Sequence, residues 1–129
     1  MSEPEFLSLD EVLSIHARSL AEHGGMEGAR DPGLIESALA SAKNIFYYGN
    51  GDLFDVAAGY AFHLAESQAF IDGNKRTAAA AAMVFLARNG VYAQPLKWEL
   101  YLAMIEIAEK KMTKFDLAAI FRKVAQKED

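Results

Sequence analysis

The sequence predicts an all-α fold, a compact bundle of about six helices in a single domain over residues 1–129. Three observations carry this. Apolar residues recur at helical spacing along nearly the whole chain, and strand-like patterning never rises above one short segment. Helix-start signals stand ahead of four of the apolar runs. Five consecutive alanines, Ala78 to Ala82, lie in a stretch that favours helix strongly.

The first helix starts at a capping box, Ser8 with Glu11, and carries Leu9, Val12, Leu13, Ile15, His16 and Leu20 at helical spacings. Gly24 and Gly25 end it. Asp31-Pro32 is a cap followed by proline at the first helical position, and the second helix presents Leu34, Ile35, Ala38 and Leu39. "FYYGNGD", Phe46 to Asp52, reads as a turn-rich loop. Asp52 can cap a third helix from about Leu53 to Glu66. "FIDGN" breaks the pattern. The fourth helix runs from about Lys75 to Arg88 and stops at Asn89-Gly90. Its alanines let neighbours approach closely, and Met83, Phe85 and Leu86 fill volume, so it belongs in the middle of the bundle. "VYAQP" is a short extended connector. A fifth helix covers Leu96 to about Lys111. Thr113 can cap a sixth, with Phe115, Leu117, Ala118, Phe121 and Val124 facing inward.

Composition narrows the function. A chain of 129 residues, 52% hydrophobic, can bury a sizeable core. The net charge of −5 argues against direct, sequence-independent nucleic-acid binding, which needs a broad basic face. Without cysteine there is neither a disulfide framework nor a thiolate metal site, which fits a cytoplasmic location. The acidic start "MSEPEFLSLDE" has no apolar core of a signal peptide. "AAAAAMVFLA" is about half the length of a membrane span, so no membrane association is expected.

Chemistry concentrates in "QAFIDGNKRT", Gln68 to Thr77. A helix N-terminus carries positive partial charge and unpaired N–H groups, and it favours acids in its first turn. Here that turn offers Lys75 and Arg76, which fits the arrival of an anion. Gly73 lets backbone N–H groups approach a phosphate, and Asn74 can cap the helix or bond a phosphate oxygen. Asp72 can hold Mg²⁺, the usual companion of nucleotide phosphates. Phe70 reads as an apolar anchor for the loop. The segment is not a Walker A loop, because the first glycine of that pattern is missing.

"QAFIDGNKR" resembles the Fic/Doc signature H-x-F-x-[DN]-[AG]-N-[KG]-R. Lys75, where most Fic proteins have Gly, resembles the Doc (death-on-curing) branch. "GGMEGARDPGLIESAL", "DLFDVAAGYAF" and "NKRTAAAAAMVFLARNGV" look like Doc segments in the same order. The resemblance implies a Fic/Doc-like fold with the motif loop leading into a central alanine-rich helix. It also implies the toxin of a toxin–antitoxin module, a protein kinase that transfers the γ-phosphate of ATP to a threonine of elongation factor Tu and blocks translation. By position, Asp72 would organise Mg²⁺ or the acceptor hydroxyl. Gly73, Asn74, Lys75 and Arg76 would bind ATP phosphates, and Arg76 would also stabilise charge in the transfer. A Phd-type antitoxin would lay a helix in an apolar groove.

The chain departs from the signature at its first position, where Gln68 stands in place of the motif histidine, the proposed general base. Imidazole can take a proton near neutrality; a carboxamide cannot. Losing a general base costs ~10²–10⁴-fold. The expectation is therefore an inactive or weakened enzyme, with Gln68 at the catalytic position. His63 lies five residues earlier, on a different face of the third helix, and reads as satisfied or solvated. His16 and His23 belong to the first helix and approach only through tertiary structure. Glu66 reads as a solvated carboxylate. Two further readings stand beside the kinase: a Fic-type AMP-transferase, and a non-catalytic module that binds an antitoxin or a nucleotide.

Overall fold

Caps within a few residues of sequence set most helix boundaries. A computed structural model, which describes residues 3–92 and 97–126, contains α1 (Leu9–His23), α2 (Pro32–Tyr47), α3 (Leu53–Ser67), α4 (Asn74–Arg88), α5 (Lys97–Ala108) and α6 (Lys114–Gln126). No strand forms among the described residues, so the all-α expectation holds. Ser8 and Glu11 close a reciprocal capping box on α1, and Asp52 with Asp55 does the same for α3. The Asp31 side chain accepts from the Gly33 N–H at 2.9 Å, with Pro32 opening α2. Thr113 caps α6: its hydroxyl accepts from the Asp116 N–H at 3.2 Å, and its own N–H donates to Asp116 at 2.9 Å.

Several boundaries differ from the sequence reading. Phe46 and Tyr47 belong to α2 rather than to the following loop. The fourth helix starts one residue early, at Asn74. The fifth stops at Ala108, short of Lys111, because Lys110 turns left-handed (φ 63°) and the Lys111 N–H returns to the Glu106 carbonyl. The connector expected over Val91–Pro95 lies largely outside the described residues, as does the expected start of α5 at Leu96. Phe115 does not face inward. It is 74% exposed, because Leu117, Ala118 and Phe121 define the buried face and Phe115 falls on the opposite side.

The core is centred on two antiparallel neighbours. α3 packs against α2, α4, α5 and α6, and α4 packs against α1, α3 and α5. Small residues on both, Ala57, Ala58, Ala61, Ala78, Ala81 and Ala82, are fully buried where the helices meet. Tyr60, Phe85 and Phe121 fill the volume around them. Tyr60 keeps a polar link: its hydroxyl accepts from the Leu7 N–H at 3.0 Å, and burial pushes its pKa up to about 12. Asn89, just past α4, exchanges hydrogen bonds with the Glu5 backbone, at 2.8 and 3.1 Å. The N-terminal segment is thereby fastened to the end of α4. No helix among the described residues is long and apolar enough to cross a membrane.

Candidate functional site

The loop between α3 and α4 is held by pairing with a distant segment. Gln68 takes the left-handed conformation (φ 52°, ψ 36°) and sends the chain alongside residues 28–30. There the Arg30 N–H donates to the Ala69 carbonyl at 2.7 Å, and the Ile71 N–H donates to the Gly28 carbonyl at 3.1 Å. Phe70 is buried. The His16 ring of α1 lies parallel to the Phe70 ring, 3.7 Å between centroids and 7° between planes. His16 Nε2 sits 2.8 Å from the Asp72 carbonyl oxygen. A carbonyl has no proton to give, so Nε2 carries the hydrogen.

Asn74 does not cap α4. It is the first residue of the helix, and its amide is turned back on Phe70: Oδ1 accepts from the Phe70 N–H at 3.0 Å and Nδ2 donates to the Phe70 carbonyl at 2.9 Å. The cap position belongs to Gly73, which is left-handed (φ 79°), and no side chain caps the helix. The N–H groups of the first turn therefore lack a side-chain acceptor. Asp72 is turned toward the segment after α1. Its carboxylate accepts from the Gly73 N–H at 2.8 Å and from the Met26 N–H at 3.2 Å. A Cβ on Gly25 would come within 2.8 Å of that carboxylate, and Gly25 itself has φ 125°, so glycine suits the close approach.

The two cations behave differently. Arg76 Nη2 donates to the Gly24 carbonyl at 3.0 Å, at the C-terminus of α1. A guanidinium disfavoured by the start of α4 is thus stabilised by the negative end of α1. Its Nε is buried without a partner. Lys75 is exposed and makes no ion pair among the described residues.

Lys75 also borders two cavities. One, of about 490 Å³, lies between the end of α3, the start of α4 and the α5–α6 turn, and includes Gln68, Glu66, Phe62, Lys110 and Lys114 in its walls. The other, of about 900 Å³, is a largely apolar groove between α1, α4 and α5, with Ile15, Ala79, Val84, Leu100 and Met104 along it and Arg76 at its edge. The structure therefore joins Gln68 and Lys75 around one cavity and directs Arg76 to the other. Asp72 lines neither.

The model described as "Fic/DOC family" matches residues 6–86. The chain belongs to the Fic/DOC family. It is similar to a protein named "Protein kinase doc" from Escherichia phage P1, with 37% identity over 86 residues, 66% of this chain and 68% of that protein. It is also similar to "Toxin Doc" of Mycolicibacterium smegmatis, with 43% identity over 89 residues, 67% of this chain and 66% of that relative. The match thus spans about two thirds of each relative.

In this Fic/DOC chain, none of the three histidines lines the cavity beside Gln68. His63 is half-buried, and its Nε2 accepts from Lys114 Nζ at 3.1 Å. Burial first, and then Lys114, hold its pKa below the usual histidine value against the opposing pull of Glu66. His23 lies at the exposed end of α1, 3.9 Å from Glu22. His16 reaches the loop, but its Nε2 proton is committed to the Asp72 carbonyl. Its clamp on the loop escaped the sequence reading. The available signal was a lone imidazole on the apolar stripe of α1, and nothing local pairs it with a carbonyl 56 residues away.

Proposed function

We propose that this chain is a Doc-type toxin scaffold, a protein kinase that transfers the γ-phosphate of ATP to a threonine of elongation factor Tu, weakened by Gln68. The observation that carries this reading is the uncapped start of α4 with Lys75 beside it, unpaired among the described residues. First-turn N–H groups and one ammonium form an anion site of the kind phosphoryl transfer uses. The likeness to a protein named "Protein kinase doc" supports reading the anion as nucleotide phosphate.

On this reading Gly73, Asn74 and Lys75 bind phosphate oxygens, with Asn74 acting through its backbone N–H because its amide is engaged. Arg76 contributes the guanidinium N–H groups not committed to Gly24. Asp72 is the one motif carboxylate for Mg²⁺; each of its oxygens accepts one N–H and keeps a free lone pair. No cluster of three metal-binding side chains exists among the described residues, so a magnesium ion on this reading is held by Asp72 and the phosphates together. Such an ion would neutralise charge on the phosphate oxygens. Gln68 can orient an acceptor hydroxyl by hydrogen bonding but cannot take its proton. The 900 Å³ groove is the place we assign to the helix of a Phd-type antitoxin, because its lining is largely apolar. The setting is the cytoplasm, where the translation factor resides.

The test is incubation with elongation factor Tu and ATP labelled at either the α or the γ position, using this chain and Gln68→His. Transfer of γ label by Gln68→His, at least 100-fold faster than by the parent, is the expected result. Transfer of α label establishes AMP transfer instead. No label from either, with no growth arrest on expression, leaves a non-catalytic binding module.

A further inference from the structure

The cavity beside Gln68 holds more positive charge than the motif supplies. Lys75 comes from α4, whereas Lys110 comes from the turn joining α5 and α6 and Lys114 from the start of α6. Those two lie beyond residues 6–86, so the family match assigns them nothing. None of the three ammonium groups makes an ion pair among the described residues, and Glu66 is the single carboxylate in the walls. In a chain of net charge −5, this is a local inversion of sign.

The lysine of α6 is held in place rather than free. Lys114 Nζ rests on His63 Nε2 at 3.1 Å and lies 5.6 Å from the centre of the Phe62 ring. Both partners are neutral, so they position the charge without cancelling it. Backbone strain gathers at the same place. Among the described residues three non-glycines have positive φ, and two of them, Gln68 (52°) and Lys110 (63°), border this cavity. The volume of about 490 Å³ falls within the range of small-molecule sites.

We propose that Lys110 and Lys114 form a second cationic wall, shared with Lys75, that binds a polyphosphate chain in this cavity. Under the nucleotide reading above, that chain is the end of the triphosphate reaching past Lys75 into this cavity, because Gly73, Asn74 and Arg76 do not line it. The charge requirement stands on the cavity alone. Three ammonium groups from two elements around one cavity carry more positive charge than a single phosphate neutralises, so affinity is expected to rise with the number of phosphates and to fall steeply with salt.

The experiment is calorimetric titration of the full chain with ATP, ADP, AMP and inorganic tripolyphosphate at low and physiological salt. The variants are Lys110→Ala/Lys114→Ala together, Lys75→Ala, and Lys111→Ala. Lys111→Ala is a single-charge control, compared directly with Lys75→Ala and per charge removed with the double variant; Lys111 is paired with Glu109 at 3.5 Å and lies outside the cavity walls. Melting curves confirm that each variant folds. The expected result is ATP and tripolyphosphate binding weakened at least tenfold in the double variant, with AMP and the Lys111 control within about twofold of the parent. Parental ATP and tripolyphosphate binding by the double variant overturns the second wall, and if Lys75→Ala still abolishes ATP binding the kinase reading survives. Equal losses per charge removed in the double variant and the Lys111 control also overturn it, because a diffuse field then accounts for the effect. Tripolyphosphate binding that depends on Lys110 and Lys114, without ATP binding, upholds the wall and removes the nucleotide reading. Binding of neither overturns the wall.

Discussion

Two side chains decide the character of the loop, and they act in opposite senses. His16 stabilises it by stacking on Phe70 and donating to the Asp72 carbonyl. Truncation to alanine removes a partly buried hydrogen bond and an aromatic contact, and is expected to cost about 1–3 kcal/mol in urea denaturation. His16→Gln keeps a donor and should recover part of that loss; equal losses in both variants would dismiss the hydrogen bond as the cause. Gln68 acts the other way. Holding a residue with a Cβ in the left-handed region costs roughly 1–2 kcal/mol, and the 3.3 Å bond from its amide to the Ala65 carbonyl is a weak return. Gln68→Gly should therefore raise the melting temperature, while a drop would mean that the amide contributes more than its geometry indicates. The motif was legible at this scale because it is contiguous. The partners of Asn74, Asp72 and Arg76 were not, since Phe70 is engaged through its backbone and Met26 and Gly24 lie about 50 residues away.

At the scale of elements, what is written locally could be read directly. Ser8 with Glu11, Asp31 with Pro32, Asp52 and Thr113 each announce a helix start, and each does so in the structure. Ends were less legible: α5 stops where Lys110 turns left-handed, a conformation no composition rule assigns to lysine. The facing of Phe115 was misread because the apolar stripe of α6 is set by α3, which the sequence of α6 does not display. Glu11 shows how a cap also ties elements together. Besides closing the capping box, it pairs with Arg88 at the end of α4. The hydrogen bond from Arg88 holds its pKa at about 2, well under the ordinary 4.5. A carboxyl that ionises more readily when folded contributes fully above pH 4.5, and its contribution fades as the pH falls toward 2. Glu11→Gln preserves the capping box and is expected to cost about 0.5–1 kcal/mol at pH 7. The difference from the parent should vanish near pH 2; a gap independent of pH would assign the loss to packing.

At the scale of the molecule, α6 closes the bundle over α3. Phe121 is fully buried, and Arg122 bonds both oxygens of Asp52 at 3.0 and 2.9 Å and Asp55 at 3.2 Å. The Asp52 pKa is lowered although burial pushes it up, because the Asp55 N–H and Arg122 outweigh that push. Phe121→Ala should destabilise the whole fold by about 3–5 kcal/mol. If unfolding stays a single transition by fluorescence and circular dichroism, α6 belongs to the same cooperative unit as the motif; two transitions would separate them. The contacts between the first helix and the motif also bear on how the chain is born. His16 meets Asp72 across 56 residues, and Glu5 meets Asn89 across 84. At ribosomal speeds of about 5–20 residues per second, α1 waits several seconds for the segments it must clamp. A nascent chain arrested before Asn89 lacks the latch for its own N-terminus, so that segment is fastened only after α4 has been made.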